Sequence, residues 1–122
     1  MGKPVILVVD DQIFICETIV ALLENTYEVH AYTAGAEAIK YIKNNPVDLA
    51  LLDYSMPTMS GYEVLMNIKS NPSTSKIPVI FLTAETNERM RMEMIDRGAS
   101  DYIHKPVNAP VLHECIKKHL KK

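Results

Sequence analysis

The sequence predicts an α/β fold, a five-stranded parallel sheet covered by helices on both faces. Three observations predict it. Residues 4–9, 49–52 and 78–82 are short, continuous apolar runs, which suit strands buried on both faces rather than on one. Stretches with apolar residues at helical spacing separate the runs, and strands alternating with helices imply βαβ units. The runs also end in residues able to handle charge, at the place where open α/β sheets put their chemistry.

Taken in order, residues 4–9 read as a first buried strand ending at Asp10 and Asp11. A helix beginning at Asp11 or Gln12 carries Ile13, Cys16, Ile19, Val20 and Leu23 on one face. Residues 27–32 alternate and read as a second strand, less buried than the first. Thr33 is the expected cap of a helix through Ala38, Ile39 and Ile42, which ends at Asn44-Asn45-Pro46. The third strand stops at Asp53, and a loop marked by Pro57 and Gly61 follows. Ser60 and Glu63 fit a capping box for a helix with Val64, Leu65 and Ile68 inward. The fourth strand stops at Thr83. The next helix runs from about Glu88 to Arg97 and is closed by Gly98, with Met90 and Met94 inward and Met92 outward. Residues 101–104 form a short fifth strand before Lys105-Pro106. Asn108 caps a last helix whose inner face carries Val111, Leu112, Cys115, Ile116 and Leu120.

At 122 residues the chain is expected to be one domain, residues 1–122, with a single core. Hydrophobic content of 48% and charged content of 23% are ordinary for a globular protein. The formal net charge of −2 provides no basic excess to meet nucleic-acid phosphates, so no direct nucleic-acid partner is expected. No apolar run reaches membrane-spanning length and no charged-then-apolar leader opens the chain, so no membrane partner and a cytoplasmic location are expected. Cys16 and Cys115 read as small buried hydrophobes. Neither is taken to have a Cys or His partner at ligand spacing, and none of the four histidines is assigned ligand geometry, so no metal site is expected around them.

The C-terminal ends of parallel strands lie on one edge, so Asp10, Asp11, Asp53, Thr83 and Lys105 are expected to meet there. Each has an ordinary reading by itself, as a turn or cap residue or a solvated charge. Together they need a common explanation. Three carboxylates in contact repel, at roughly 4 kcal/mol for each pair about 4 Å apart at an effective dielectric of 20. They must take up protons or surround a cation. All-oxygen ligands with positions left open suit Mg²⁺, which keeps waters and accepts phosphate oxygens. An acidic nucleophile, a cation, an ammonium and a hydroxyl in one pocket suit phosphoryl transfer, and a carboxylate nucleophile yields an acyl phosphate.

These motifs resemble those of one family. Val8-Val9-Asp10-Asp11, Leu51-Leu52-Asp53 with Met56-Pro57 and Ser60-Gly61 behind it, Phe81-Leu82-Thr83-Ala84, and Gly98-Ala99 through Lys105-Pro106 look like the receiver domain of two-component response regulators over essentially the whole chain. The resemblance implies a flavodoxin-like fold of strand order 2-1-3-4-5. It implies that Asp53 is the phosphoacceptor, charged by a sensor histidine kinase or phosphotransfer protein. Asp11 and Asp53 would ligate Mg²⁺ directly, Asp10 partly through water, and the backbone carbonyl of Ser55 would complete the protein ligands. Lys105 would pair with Asp53 and then with the phosphate, and Lys105-Pro106 is expected to be cis. Thr83 would bond a phosphate oxygen, beside the small Ala84. Thr83 and Tyr102 would form the switch, changing the surface of the helix after Thr83, the fifth strand and the last helix for an unknown downstream target or output domain. Ser55 and Glu85 would set the phosphate lifetime. His104, next to Lys105, reads as a strand side chain.

Three other readings compete. A binding-only receiver would lack one of the acids or the Lys, and all are present. A haloacid-dehalogenase-type enzyme resembles this chain in its strand-end Asp but carries Asp-x-Asp in its first strand, where Gln12 stands in place of the second acid. A flavodoxin is disfavoured because acids after the first strand repel a flavin phosphate. The sequence leaves open whether the chain stands alone or is cut from a longer protein.

Overall fold

The computed structural model describes residues 2–120 and contains the ten predicted elements in the predicted order. They are β1 (Val5–Val9), α1 (Ile13–Leu23), β2 (Glu28–Tyr32), α2 (Gly35–Asn44), β3 (Leu49–Asp53), α3 (Gly61–Ser70), β4 (Val79–Thr83), α4 (Glu88–Asp96), β5 (Asp101–His104) and α5 (Ala109–His119). The strands pair in parallel in the order β2-β1-β3-β4-β5, as the resemblance implies.

Side chains of a strand alternate between faces, and this splits the core into two halves. Leu7, Val9, Ala50, Leu52, Val79 and Phe81 meet Ala38, Ile42, Val64, Leu65, Ile68 and Met94 from α2, α3 and α4. Ile6, Val8, Leu49, Leu51, Ile80 and Leu82 meet Cys16, Ile19, Leu23, Leu112 and Ile116 from α1 and α5. Both faces being covered is why β1, β3 and β4 are continuously apolar. β2 lies at an edge and is only half-buried.

The caps decide where helices begin. Ser60 and Glu63 form the full capping box at α3. The side chain of Asn87 accepts from the Arg89 and Met90 amides, and that of Asn108 accepts from Val111. Gly98, at φ +120°, takes the chain out of α4. Met94 is buried and Met92 is 59% exposed, with Met90 between them.

Three details differ from the sequence reading. Thr33 does not cap α2: Ala34 is the extended N-cap residue and no side chain serves it. Ile13 and Val111 do not join the core, being 61% and 50% exposed. Both stand in the first turn of their helices, where the chain is still leaving a strand end and the apolar stripe has not yet reached the sheet. Among the described residues no helix is long and apolar enough to cross a membrane.

Candidate functional site

The strand register brings the polar strand ends together. Val9 pairs with Leu52, Asp53 with Leu82, and Thr83 with His104. The residues that follow or end those pairs, Asp10, Asp53, Thr83 and Lys105, therefore leave the sheet side by side. Asp10 is fully buried, Asp53 and Thr83 are nearly so, and Asp11 is exposed.

Lys105 Nζ lies 2.9 Å from Asp10 Oδ2 and 3.2 Å from Asp53 Oδ1. Burial alone would lower the Lys105 pKa; its hydrogen bonds and attraction to the two aspartates outweigh that, and the net shift is upward, so the ammonium is firmly charged. Asp53 moves the other way for an acid. Burial first, then the charge of Asp10, push its carboxyl up to about 6, with Lys105 offsetting part of the rise. The site thus holds a carboxylate that is costly to ionise without further positive charge.

Carboxylate oxygens of Asp10, Asp11 and Asp53 lie within 4.8 Å of one another. Asp10 Oδ1 accepts from the Gln12 amide at 3.0 Å, whereas buried Asp10 Oδ2 faces the Lys105 ammonium and has no other polar partner among the described residues. An acceptor left short in a buried, acid-rich corner fits a hard divalent cation, and a set of carboxylate oxygens alone suits Mg²⁺.

Two loops mirror each other around this cluster. The amide of Ser55 donates to Asp53 Oδ1 at 3.3 Å, and the amide of Glu85 donates to Thr83 Oγ1 at 2.9 Å. Each strand-end side chain is thereby tied to the residue two positions on. The Glu85 carboxylate is itself occupied by the Asn87 amide at 2.8 Å. Lys105-Pro106 is cis. Tyr102 stands apart from the acids, half-buried, with the Arg91 guanidinium 5.0 Å from its ring centre. His104 is exposed and takes no part.

Sequence reasoning missed two features. The first is Gly61. A Cβ there would collide with the Asp53 carbonyl oxygen and lie 2.9 Å from Tyr54 Cα. Only the bare backbone lets α3 press against the loop leaving Asp53, where the Gly61 amide also bonds Tyr54 O at 3.0 Å. The second corrects the expectation about cysteines and histidines. His119 follows Cys115 by one helical turn, and both reach Asp101: His119 Nε2 is 2.9 Å and Cys115 Sγ 3.6 Å from Asp101 Oδ2. The four-residue spacing was the available signal.

Comparison with known proteins bears on the whole arrangement. The model of the response regulator receiver domain matches residues 6–117. The chain is 32% identical over 109 residues to the two-component response regulator ORR12 of Oryza sativa subsp. japonica, covering 88% of this chain and 90% of that protein. It is 41% identical over 120 residues to a Vibrio cholerae protein named a probable cyclic di-GMP phosphodiesterase, covering 98% of this chain but spanning only 27% of that protein. Among solved structures, the chemotaxis protein CheY4 of Vibrio cholerae superposes with a TM-score of 0.91 at 29% identity, covering 98% of this chain and all of that one. The receiver domain of a Pseudomonas aeruginosa sensor histidine kinase, described with a magnesium ion coordinated in its active site cleft, gives 0.88 at 25% identity, covering 98% of each chain.

Proposed function

The chain belongs to the response regulator receiver domain family of two-component systems, and from that premise we propose that it is a phosphoacceptor whose acceptor atom is a carboxylate oxygen of Asp53. The observation that carries the proposal is the placement of Lys105 within 3.2 Å of Asp53, beside buried Asp10 with its under-bonded oxygen. Residues 1–122 act as one receiver domain in the cytoplasm, a setting in which the two free thiols stay reduced.

In the reaction an Asp53 oxygen forms a bond to phosphorus as the phosphorus–nitrogen bond of a donor phosphohistidine breaks. The donor imidazole keeps the bonding electron pair. Asp10, Asp11, Asp53 and the Ser55 carbonyl hold Mg²⁺, which when bound supplies charge neutralisation for the phosphoryl oxygens. Lys105 is poised to follow the charge from the carboxylate to the phosphoryl group, and the Thr83 hydroxyl to donate to a phosphoryl oxygen. A sensor histidine kinase or phosphotransfer protein is the donor, and the recipient of the signal is a protein target or output domain. Enzymatic turnover of a separate substrate is no part of the role. Ser55 and Glu85, each anchoring a loop at the site, govern how fast water removes the phosphate. Movement of Thr83 toward the phosphate draws Tyr102 inward, away from Arg91, and alters the α4–β5–α5 surface.

The test is phosphate incorporation from acetyl phosphate with Mg²⁺, read by intact mass. A single adduct that requires Mg²⁺ and is lost in Asp53→Asn is expected, with decay that changes in Ser55 and Glu85 variants. A folded protein that forms no adduct at any donor or Mg²⁺ concentration would instead be a binding-only receiver.

A further inference from the structure

The sheet has a second cluster of metal-ligating groups, and it lies on the edge opposite the aspartates. Asp101 opens β5, and Cys115 and His119 stand one turn apart near the end of α5, which runs back along that strand. Ligand atoms of all three fall within 4.8 Å of one another. From this geometry we infer that Asp101, Cys115 and His119 form a binding site for Zn²⁺.

The fit is close before any ion arrives. Sulfur, nitrogen and oxygen held at 2.0–2.3 Å from one tetrahedral Zn²⁺ stand roughly 3.3–3.8 Å apart. Cys115 Sγ is already 3.6 Å from Asp101 Oδ2, and His119 Nε2, at 2.9 Å, has to withdraw by only a few tenths of an ångström. Asp101 Oδ1 is kept in place by the Tyr102 amide at 2.9 Å, which leaves Oδ2 as the outward ligand atom. Such support behind a ligand is how metal sites fix their geometry. A helical pair four residues apart supplies two ligands from one rigid face, and a carboxylate from the neighbouring strand supplies the third. His119 also lines a cleft of about 360 Å³ with Asp48 and Lys76, so a fourth position is open to water from that side.

The ligand types separate this site from the other one. Three aspartates select a hard ion such as Mg²⁺, whereas thiolate and imidazole select Zn²⁺. Binding replaces the Sγ–H bond of Cys115 by a sulfur–metal bond and sends that proton to solvent; the Nε2–H of His119, which donates to Asp101 without an ion, is also given up, so that the freed Nε2 lone pair binds the metal and the remaining ring proton sits on Nδ1. Without an ion, burial and the Asp101 charge hold the Cys115 thiol protonated, up to about 12, so the cluster is no nucleophile. The nearby Lys118 ammonium opposes a cation but is exposed and screened by solvent.

The test titrates Zn²⁺ into the full chain against a chromophoric chelator, with excess Mg²⁺ occupying the acidic cluster, and repeats it with Co²⁺. One Zn²⁺ per chain is expected, together with a sulfur-to-cobalt charge-transfer band. Cys115→Ser should remove that band and weaken Zn²⁺ binding by at least about 100-fold, more than losing a mere supporting group costs; His119→Gln should weaken it similarly, and Cys16→Ser should leave band and affinity unchanged. The inference is overturned by wild-type protein that takes up no stoichiometric Zn²⁺, by a cobalt spectrum without thiolate character, or by undiminished affinity in Cys115→Ser. The wild-type cobalt spectrum decides the matter even if a variant folds poorly.

Discussion

At Asp53, burial and then the Asp10 charge raise the carboxyl from its usual value near 3.8 to about 6, with Lys105 pulling the other way. Between those two values the folded chain keeps a proton that the unfolded chain has released. Stability therefore falls as pH rises from about 4 to about 6 and stays reduced above, by an amount on the order of 2–3 kcal/mol. Asp53→Asn cannot ionise, so in Mg²⁺-free buffer at pH 7.5 it should be more stable than wild type by about 1–3 kcal/mol. Its contribution to the pH slope below 6 should also vanish; urea unfolding across pH would show both, and equal stability of the two proteins at pH 7.5 would contradict the burial argument. Lys105→Met is the converse. It leaves Asp10 and Asp53 facing each other without their cation and should cost about 3 kcal/mol at pH 7.5, less at pH 5, where Asp53 takes a proton. Urea unfolding at the two pH values reads the difference. The charged members of this group were legible in the sequence because each stands where an expected strand ends, and parallel strands put those ends on one edge. The role of Gly61 was not legible, since a close backbone approach leaves no mark in a hydrophobic pattern.

Among the elements, α3 joins the site to the core most directly, because its first residues sit against the loop leaving Asp53. Two neighbouring substitutions should part stability from function there. Ser60→Ala removes one arm of the capping box and should cost about 1 kcal/mol, with phosphate uptake nearly unchanged. Gly61→Ala must push α3 or the loop away from Asp53 and Tyr54. It should cost more, about 2 kcal/mol or above, and should also slow uptake from acetyl phosphate severalfold. Thermal melts alongside intact-mass kinetics check the pair; equal uptake by the two variants would sever the link drawn between Gly61 and the site. Helix starts were readable where a side chain does the capping, as at Ser60 and Asn108. At α2 no side chain caps, and the chemistry of Thr33 pointed one residue too early. Cys115 was misjudged for another reason: its spacing to His119 is written in the sequence, but its meaning depends on Asp101, which arrives from a different element.

For the molecule as a whole, the alternation of buried strand residues between two half-cores was implicit in the apolar runs, whereas nothing in their periodicity orders the strands; the order came from family resemblance. The proposed switch belongs to this scale. Phosphorylation should leave hydrogen exchange in β1 and β3 unchanged and alter it in α4, β5 and α5, as the Tyr102 ring moves out from under the Arg91 guanidinium. Uniform or absent changes in exchange mass spectrometry would count against a directed switch. The charges have a distribution of their own. The chain has 13 basic and 15 acidic residues, and taking out Lys105 and the three clustered aspartates leaves equal numbers of each sign. Those four residues together carry a formal −2, equal to the net charge of the whole chain. At low ionic strength that local negative charge draws cations and cationic partners toward the aspartates before they touch. One bound divalent ion would cancel that charge, and the domain would then drift in an electric field as though it carried no net charge.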